Sequence, residues 1–257
     1  MSHPLEINNL VKKFGGLVAT DDLTFHVEQG QSVGLIGPNG AGKSTLLQML
    51  AGLIKCDTGT VLLNQRDIHA INLQERSRSL AWVEQNGAVN WPLTVERIIS
   101  LGRRPHLGTW QKPGNDDHQA IEQAIIDTDC TDIRHQNATT LSGGERTRML
   151  LARALAAQPD VLLADEPVAA LDLKHQLKAM HVLENFSSAD RTCLVVLHDL
   201  SLAARFCNRL YLMHEGAIVA EGTPATVLTE TNLKTVYGVE VQMGGSDHPW
   251  IVPVRAC

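Results

Sequence analysis

Residues 37 to 45 read Gly37-Pro38-Asn39-Gly40-Ala41-Gly42-Lys43-Ser44-Thr45, which fits the GxxxxGK[ST] spacing of a phosphate-binding loop. Gly37, Gly40 and Gly42 let the backbone fold tightly, so that its N–H groups point inward at an anion near the positive end of a helix. Lys43 is placed to reach the outer phosphates of a nucleotide. The Ser44 hydroxyl is a hard oxygen donor suited to Mg²⁺, and Thr45 adds a second hydroxyl. A plain glycine-rich turn is the competing reading. The apolar run before the loop and the helical pattern after it weigh against that reading.

A second constellation is Val161-Leu162-Leu163-Ala164-Asp165-Glu166-Pro167. Its apolar residues predict a buried strand that delivers Asp165 and Glu166 to its carboxyl end, where ligands gather in α/β sheets. Asp165 suits a Mg²⁺ partner, direct or through water, and Glu166 suits a carboxylate that orients and polarises an attacking water. Alone, two acids after a strand read as solvated loop charges; the phosphate loop elsewhere in the chain reverses that preference. Gln85 and His198 follow apolar runs ending at Val83 and Leu197, so all four polar groups are expected on one rim of one sheet. In isolation either one reads as an ordinary hydrogen-bonding residue. In Leu141-Ser142-Gly143-Gly144-Glu145, Ser142 can cap a helix while the glycines let a ligand approach the backbone. Taken alone, Ser-Gly-Gly is a common loop sequence.

These residues need a scaffold, and the pattern predicts one. Residues 5 to 36 alternate apolar and polar positions, clearest at Leu23, Phe25 and Val27, and read as short antiparallel strands. Val33 to Ile36 enters the phosphate loop, after which Leu46, Met49 and Leu50 share a helix face. Leu80–Val83, Val161–Ala164 and Cys193–Leu197 read as buried parallel strands. Between about 86 and 157 the chain is mostly helical in character, with Thr94 an N-cap and Pro113-Gly114 a break. Beyond about 209 come strands at 209–213 and 217–220 and a helix starting near Pro224. The expectation is one domain over 1–257: an α/β core with a helical insertion and a C-terminal part.

Composition narrows the classes. The chain has 257 residues and a formal charge of −6, with 44% hydrophobic and 19% charged residues. That is an ordinary globular composition, and its acidic balance argues against a nucleic-acid or anionic-membrane surface. Arg103-Arg104 is too short for a basic stripe. Apolar runs stop at about five residues, whereas a membrane span needs about 20. The N-terminus lacks an export signal pattern, which predicts a cytoplasmic protein. Five scattered cysteines without a CxxC pair argue against a disulfide framework or zinc ribbon, and the histidines show no HExxH-like ligand spacing. His106, His118 and His135 are expected at the surface, and Trp82 and Trp91 near the helical insertion.

Together, the phosphate loop, Gln85, the Leu141–Glu145 motif, the Asp165-Glu166 strand, Ala170-Leu171-Asp172 and His198 resemble the nucleotide-binding subunit of an ABC transporter. The match spans nearly the whole chain, and the Leu-Ser-Gly-Gly signature separates it from the helicases, kinases and GTPases that share the phosphate loop. The resemblance implies an α/β fold of the P-loop NTPase type: an ABC cassette with a RecA-like core, an N-terminal antiparallel β-subdomain and a helical subdomain. It implies ATP and Mg²⁺ as ligands and a head-to-tail homodimer, with ATP between one subunit's phosphate loop and the other's Ser142, Gly143 and Gly144. By the same resemblance Lys43, Ser44 and Asp165 hold phosphates and Mg²⁺. Gln85 senses the metal and couples to a membrane permease, Glu166 is the catalytic base, and His198 contacts the γ-phosphate. Asp172 communicates across the dimer, and Phe14 takes the adenine-stacking position that is usually tyrosine. Two departures stand out: Val168 and Ala169 replace the common Thr and Ser, and Arg146 follows Glu145 without a Gln nearby.

Residues 92–108, 170–176 and 198–208 resemble importers of iron-siderophore, haem or cobalamin, with zinc or manganese importers the nearest alternative. Such a subunit sits on the cytoplasmic face of the inner membrane through its permease and serves a periplasmic or extracellular substrate-binding protein indirectly. A different class, a soluble ABC ATPase that remodels a complex, would share the cassette chemistry, but the chain has no long coiled-coil insertion and no second cassette. A nucleotide-regulated binding module with little turnover is opposed by the presence of Glu166 beside Asp165.

Overall fold

The computed structural model describes residues 3–257 apart from Asn86, Ala189 and Asp247. In chain order the elements are β1 (Leu5–Phe14), β2 (Leu17–Val27), β3 (Ser32–Ile36), α1 (Lys43–Leu50), β4 (Thr58–Leu63), β5 (Arg66–Asp67), α2 (Leu73–Ser79), β6 (Leu80–Val83), α3 (Val95–Ser100), α4 (Asn115–Asp127) and α5 (Gly143–Ala156). They continue with β7 (Val161–Asp165), α6 (Leu173–Ser188), β8 (Thr192–Val196), α7 (Leu200–Phe206), β9 (Arg209–His214), β10 (Ala217–Gly222), α8 (Pro224–Val227), α9 (Glu230–Tyr237), β11 (Val239–Gly244) and β12 (Trp250–Ala256). Two compact units result: Met1–Ala70 with Phe186–Cys257, and Ile71–Asn185.

In the first unit β1 and β2 pair antiparallel from Leu5 opposite Val27 to Phe14 opposite Leu17. The alternation that marked these strands has a physical cause: Leu23, Phe25 and Val27 are buried while Thr24 between them is exposed, the period of a half-buried sheet. The strands run 10 and 11 residues, longer than the short strands expected. β4, which the sequence pattern did not mark, adds to the other side of β1.

A second group of strands runs β10-β9-β3-β8. β3 lies parallel to both β8 and β9, and all positions of β3 and β8 are buried. Strands covered on both faces carry continuous apolar runs, which is why 33–36 and 193–197 were legible. β9 and β10 form a hairpin whose two turn residues, Glu215 and Gly216, both have positive φ, as a type I′ turn requires. The helix expected near Pro224 is only the four-residue α8, with Pro224 in its first turn. α9 and the β11–β12 hairpin follow it.

In the second unit β6 and β7 pair in parallel, Leu80 opposite Val161 through Val83 opposite Ala164. The helical stretch forms as its signals predict. Thr94 caps α3 by accepting the Arg97 amide at 3.3 Å, and Gly114 begins α4 with Asp117 accepting its amide at 2.9 Å. α3, α4 and α5 share a core that includes Ile99, Ile125 and Met149, all fully buried; each such side chain contributes about 2 kcal/mol of transfer free energy. Gly102 lets the chain pass α5 closely, since a Cβ there would sit 2.2 Å from the Arg153 carbonyl oxygen.

Burial in this unit departs from the surface expectation at His106 and bears on Arg103 and Trp91. Arg103 is buried: its Nε donates to Asp117 at 2.8 Å and its Nη1 to the Ala156 carbonyl at 3.0 Å. His106 is half-buried, its Nε2 2.7 Å from the Ala157 carbonyl oxygen. Trp91, expected against the helical insertion, is 67% exposed.

Candidate functional site

In the first unit β3 ends at Ile36 and the chain turns through Gly37 to Gly42 into α1. Gly37 and Gly42 have φ of 149° and 96°. A Cβ at Gly37 would lie 2.2 Å from the Met213 carbonyl oxygen, and one at Gly42 only 1.9 Å from that of Ala19. Both positions therefore require glycine for conformation and for space. No acidic residue and no side-chain cap occupies the first turn of α1, so the helix itself supplies no negative charge at its positive end. The Lys43 side chain is 6% exposed and folds back over the loop, donating to the carbonyls of Gly37 at 2.7 Å and Pro38 at 2.8 Å. Asn39 and Gly40 are exposed at the tip, Ala41 is buried beneath, and Ser44 and Thr45 are half-buried.

β8 lies beside β3 in parallel, with Leu197 donating its amide to Leu35 at 3.3 Å. His198 therefore leaves the same edge as the phosphate loop, exposed, just before α7, whose cap is Asp199. Phe14, at the end of β1, is half exposed with the Lys12 ammonium 5.4 Å from its ring centre; it is not a core residue. Sequence reasoning missed Tyr237 on α9, whose phenol faces the Gly37 backbone and is pushed up to about 12 by burial. Only tertiary packing could reveal it, because it lies so far along the chain.

In the second unit the parallel strands β6 and β7 deliver Gln85 and Asp165-Glu166 to one edge. The Gln85 amide donates to Glu166 Oε2 at 2.5 Å. Asp165 is 4% exposed. Glu166 adopts φ of 49°, a left-handed conformation that costs a side-chain-bearing residue about 1 kcal/mol. Within this unit the amide oxygen of Gln85 and the carboxylate of Asp165 are hard oxygen donors, which suit Mg²⁺ rather than a soft metal; the Ser44 hydroxyl of the first unit is of the same chemical kind.

The Ser142 turn is a complete capping box. Ser142 Oγ accepts the Glu145 amide at 3.3 Å, and Glu145 Oε2 accepts the Ser142 amide at 2.9 Å and the Ser142 hydroxyl at 2.7 Å. The hydroxyl, and next the amide, hold the Glu145 carboxyl below its usual range. Gly143 is exposed at the start of α5. Gly144 packs on the segment leading to Asp172, where a Cβ would sit 3.2 Å from the Ala170 carbonyl oxygen. In that segment Val168 is buried and Ala169 exposed. Asp172 caps α6, accepting the His175 amide at 2.9 Å and its Nδ1–H at 2.8 Å. Those two bonds hold its carboxyl below the usual range, the amide most.

Elsewhere His3, His26 and Glu28 bring donor atoms within 4.8 Å of one another. Arg209, 3.4 Å from Glu221 and within electrostatic reach of Glu28, is a fixed cation that disfavours another one there.

Known proteins resemble this chain in sequence and in fold. Residues 20–169 match the model of the ABC transporter family. The cobalamin import ATP-binding protein BtuD of Halobacterium salinarum is 38% identical over 242 residues, covering 93% of this chain but 60% of that protein, so the chain spans under two thirds of that relative's length. The hemin import ATP-binding protein HmuV of Pseudomonas entomophila is 38% identical over 92% of this chain and 93% of its own. Among solved structures, an inward-facing metal-chelate type ABC transporter superposes with a TM-score of 0.83 at 26% identity, covering 98% of both chains. A dimeric ATP-binding cassette in a post-hydrolysis state with ADP and Pi does so at 0.76 and 26% identity, covering 86% of this chain and 98% of that one. The chain belongs to the ABC transporter family.

Proposed function

We propose that this chain is the ATP-binding and ATP-hydrolysing subunit of an importer that takes up an iron complex, such as a siderophore or haem, or cobalamin. The observation that carries the reading is the Gln85 amide seated on the Glu166 carboxylate at the ends of two parallel strands, in a chain whose β3 feeds a lysine-bearing phosphate loop. The cargo assignment draws support from relatives named for hemin and cobalamin import.

In this reading Lys43 and the amides of Gly37 to Gly42 hold the phosphates, Phe14 stacks on adenine, and His198 contacts the γ-phosphate. Ser44, Gln85 and Asp165 hold Mg²⁺, which when bound supplies neutralising charge to the phosphate oxygens. Glu166 takes the proton of the attacking water as its oxygen bonds to the γ-phosphorus. The bond to the bridging oxygen breaks, releasing ADP and phosphate. Lys43 and His198 stabilise the charge of the transferring group. Ser142, Gly143 and Gly144 meet the nucleotide of a second copy in a head-to-tail dimer; for this the Ser142 hydroxyl turns from Glu145 to the γ-phosphate. A dimeric cassette among the structural relatives supports that pairing.

Among the described residues no helix is long and apolar enough to cross a membrane. Attachment to the cytoplasmic face through permease subunits, with Gln85 coupling to them and a substrate-binding protein acting indirectly, completes the proposal. Purifying the chain from its native membranes tests it. Recovery with a permease of the iron-complex or cobalamin class, and ATP hydrolysis in that complex, is expected. Recovery with a zinc or manganese permease, or with a soluble assembly only, would overturn the import assignment.

A further inference from the structure

His175 lies between two carboxylates on different elements. Its Nδ1 is 2.8 Å from Asp172 Oδ1, and its Nε2 is 3.4 Å from Asp129 Oδ2. Asp129 stands just past α4 with φ of 59°. It accepts Lys178 Nζ of α6 at 2.8 Å, and Arg148 Nη1 lies 3.9 Å from the same carboxylate. Arg148 belongs to α5, the helix that Ser142 begins, and its guanidinium also donates to the Asp129 backbone carbonyl. A second link runs through the backbone, where Gly144 packs on Ala170. The Asp172 segment and the Ser142 turn are thus joined twice inside one unit, by close packing and by a His175–Asp129–Arg148 chain of polar contacts.

We infer that His175 is a positioning residue: through its Nδ1 it fixes the Asp172 carboxylate, with Asp129 steadying the far side of the ring, so that the Asp172 surface meets a second subunit already set. This rests on the proposed head-to-tail dimer. Asp172 is exposed, with 68% of its side chain accessible; without the imidazole only the His175 amide would hold its carboxylate, so part of its ordering would be left to association. Each copy would then lose side-chain freedom at the interface, weakening closure by about tenfold for the pair. ATP binding to the separate subunit uses Lys43 and its loop and would not change.

The test is ATP-driven dimerisation of the full chain, read by analytical ultracentrifugation in a Glu166→Gln background, beside the ATP dissociation constant of the monomer. His175→Asn places an amide donor where Nδ1 was, keeping the bond to Asp172. His175→Gln places its amide nearer the Nε2 position, toward Asp129. The expected result is that His175→Ala and His175→Gln weaken dimerisation about tenfold with unchanged monomer affinity, while His175→Asn restores it to within about twofold. Equal dimerisation by His175→Ala and its parent overturns the inference, as does equal loss in all three variants. Failure of the Glu166→Gln parent itself to dimerise would instead overturn the functional reading on which this rests.

Discussion

Replacing Lys43 with alanine should weaken nucleotide binding by less than the loss of an ammonium–phosphate contact first suggests. In the free protein the ammonium already donates to the Gly37 and Pro38 carbonyls at 2.7 and 2.8 Å. Nucleotide binding therefore exchanges charge-assisted bonds to neutral oxygens for bonds to charged ones. A hydrogen bond with one charged partner, as in these two, is worth about 1.5 kcal/mol, and one between two charged groups up to about 3 kcal/mol. The exchange of two bonds nets about 2–3 kcal/mol, or roughly 30- to 150-fold in dissociation constant. Titration calorimetry with ATP and Mg²⁺ on wild type and Lys43→Ala measures it, with thermal unfolding of both as a control for the loop. An affinity within threefold of wild type in a folded variant would refute the assignment of this lysine to the phosphates.

Other consequences concern stability. Asp117→Ala leaves the Arg103 guanidinium without its carboxylate among side chains only 7% and 11% exposed, and should cost about 3 kcal/mol in urea unfolding; a loss below about 0.5 kcal/mol would contradict the burial argument. The Gly114 amide, and next Arg103, hold the Asp117 carboxyl below the ordinary range. The folded state thus binds this proton less readily than the unfolded one, and the pair's stabilisation is complete above about pH 4 and fades as pH falls through the lowered value. Denaturation curves across that range should flatten in Asp117→Ala relative to wild type. Gly102→Ala would drive a Cβ into the Arg153 carbonyl and should destabilise the helical unit by about 2 kcal/mol; unchanged hydrogen-exchange protection in α5 would show that the backbone yields freely.

The residues assigned to the proposed chemistry were legible because their surroundings leave strong local signals. β3 and β7 are apolar at successive positions since both faces are covered, and each ends at a polar motif. Thr94 and Ser142 announced their helices because an N-cap is a property of a few adjacent residues. β4 was hidden, as its first three positions are exposed and only pairing with β1 makes it a strand. The β11–β12 hairpin was equally silent: most of β12 is exposed, so burial imposes no alternation. The burial of Arg103 left no local signal, because its partners, Asp117 and the Ala156 carbonyl, are brought to it by helix packing. The His175 contacts depend on Asp129, whose place is set by a left-handed turn after α4 that no local pattern marks.

The most direct test of the chemistry is Glu166→Gln. The substitution keeps size, the acceptor for the Gln85 amide and the strand, and removes only the capacity to take a proton. Steady-state hydrolysis should fall by about 100-fold or more while ATP with Mg²⁺ converts the protein to a stable dimer. Hydrolysis near the wild-type rate would show that another group accepts the proton and that Glu166 is not the base.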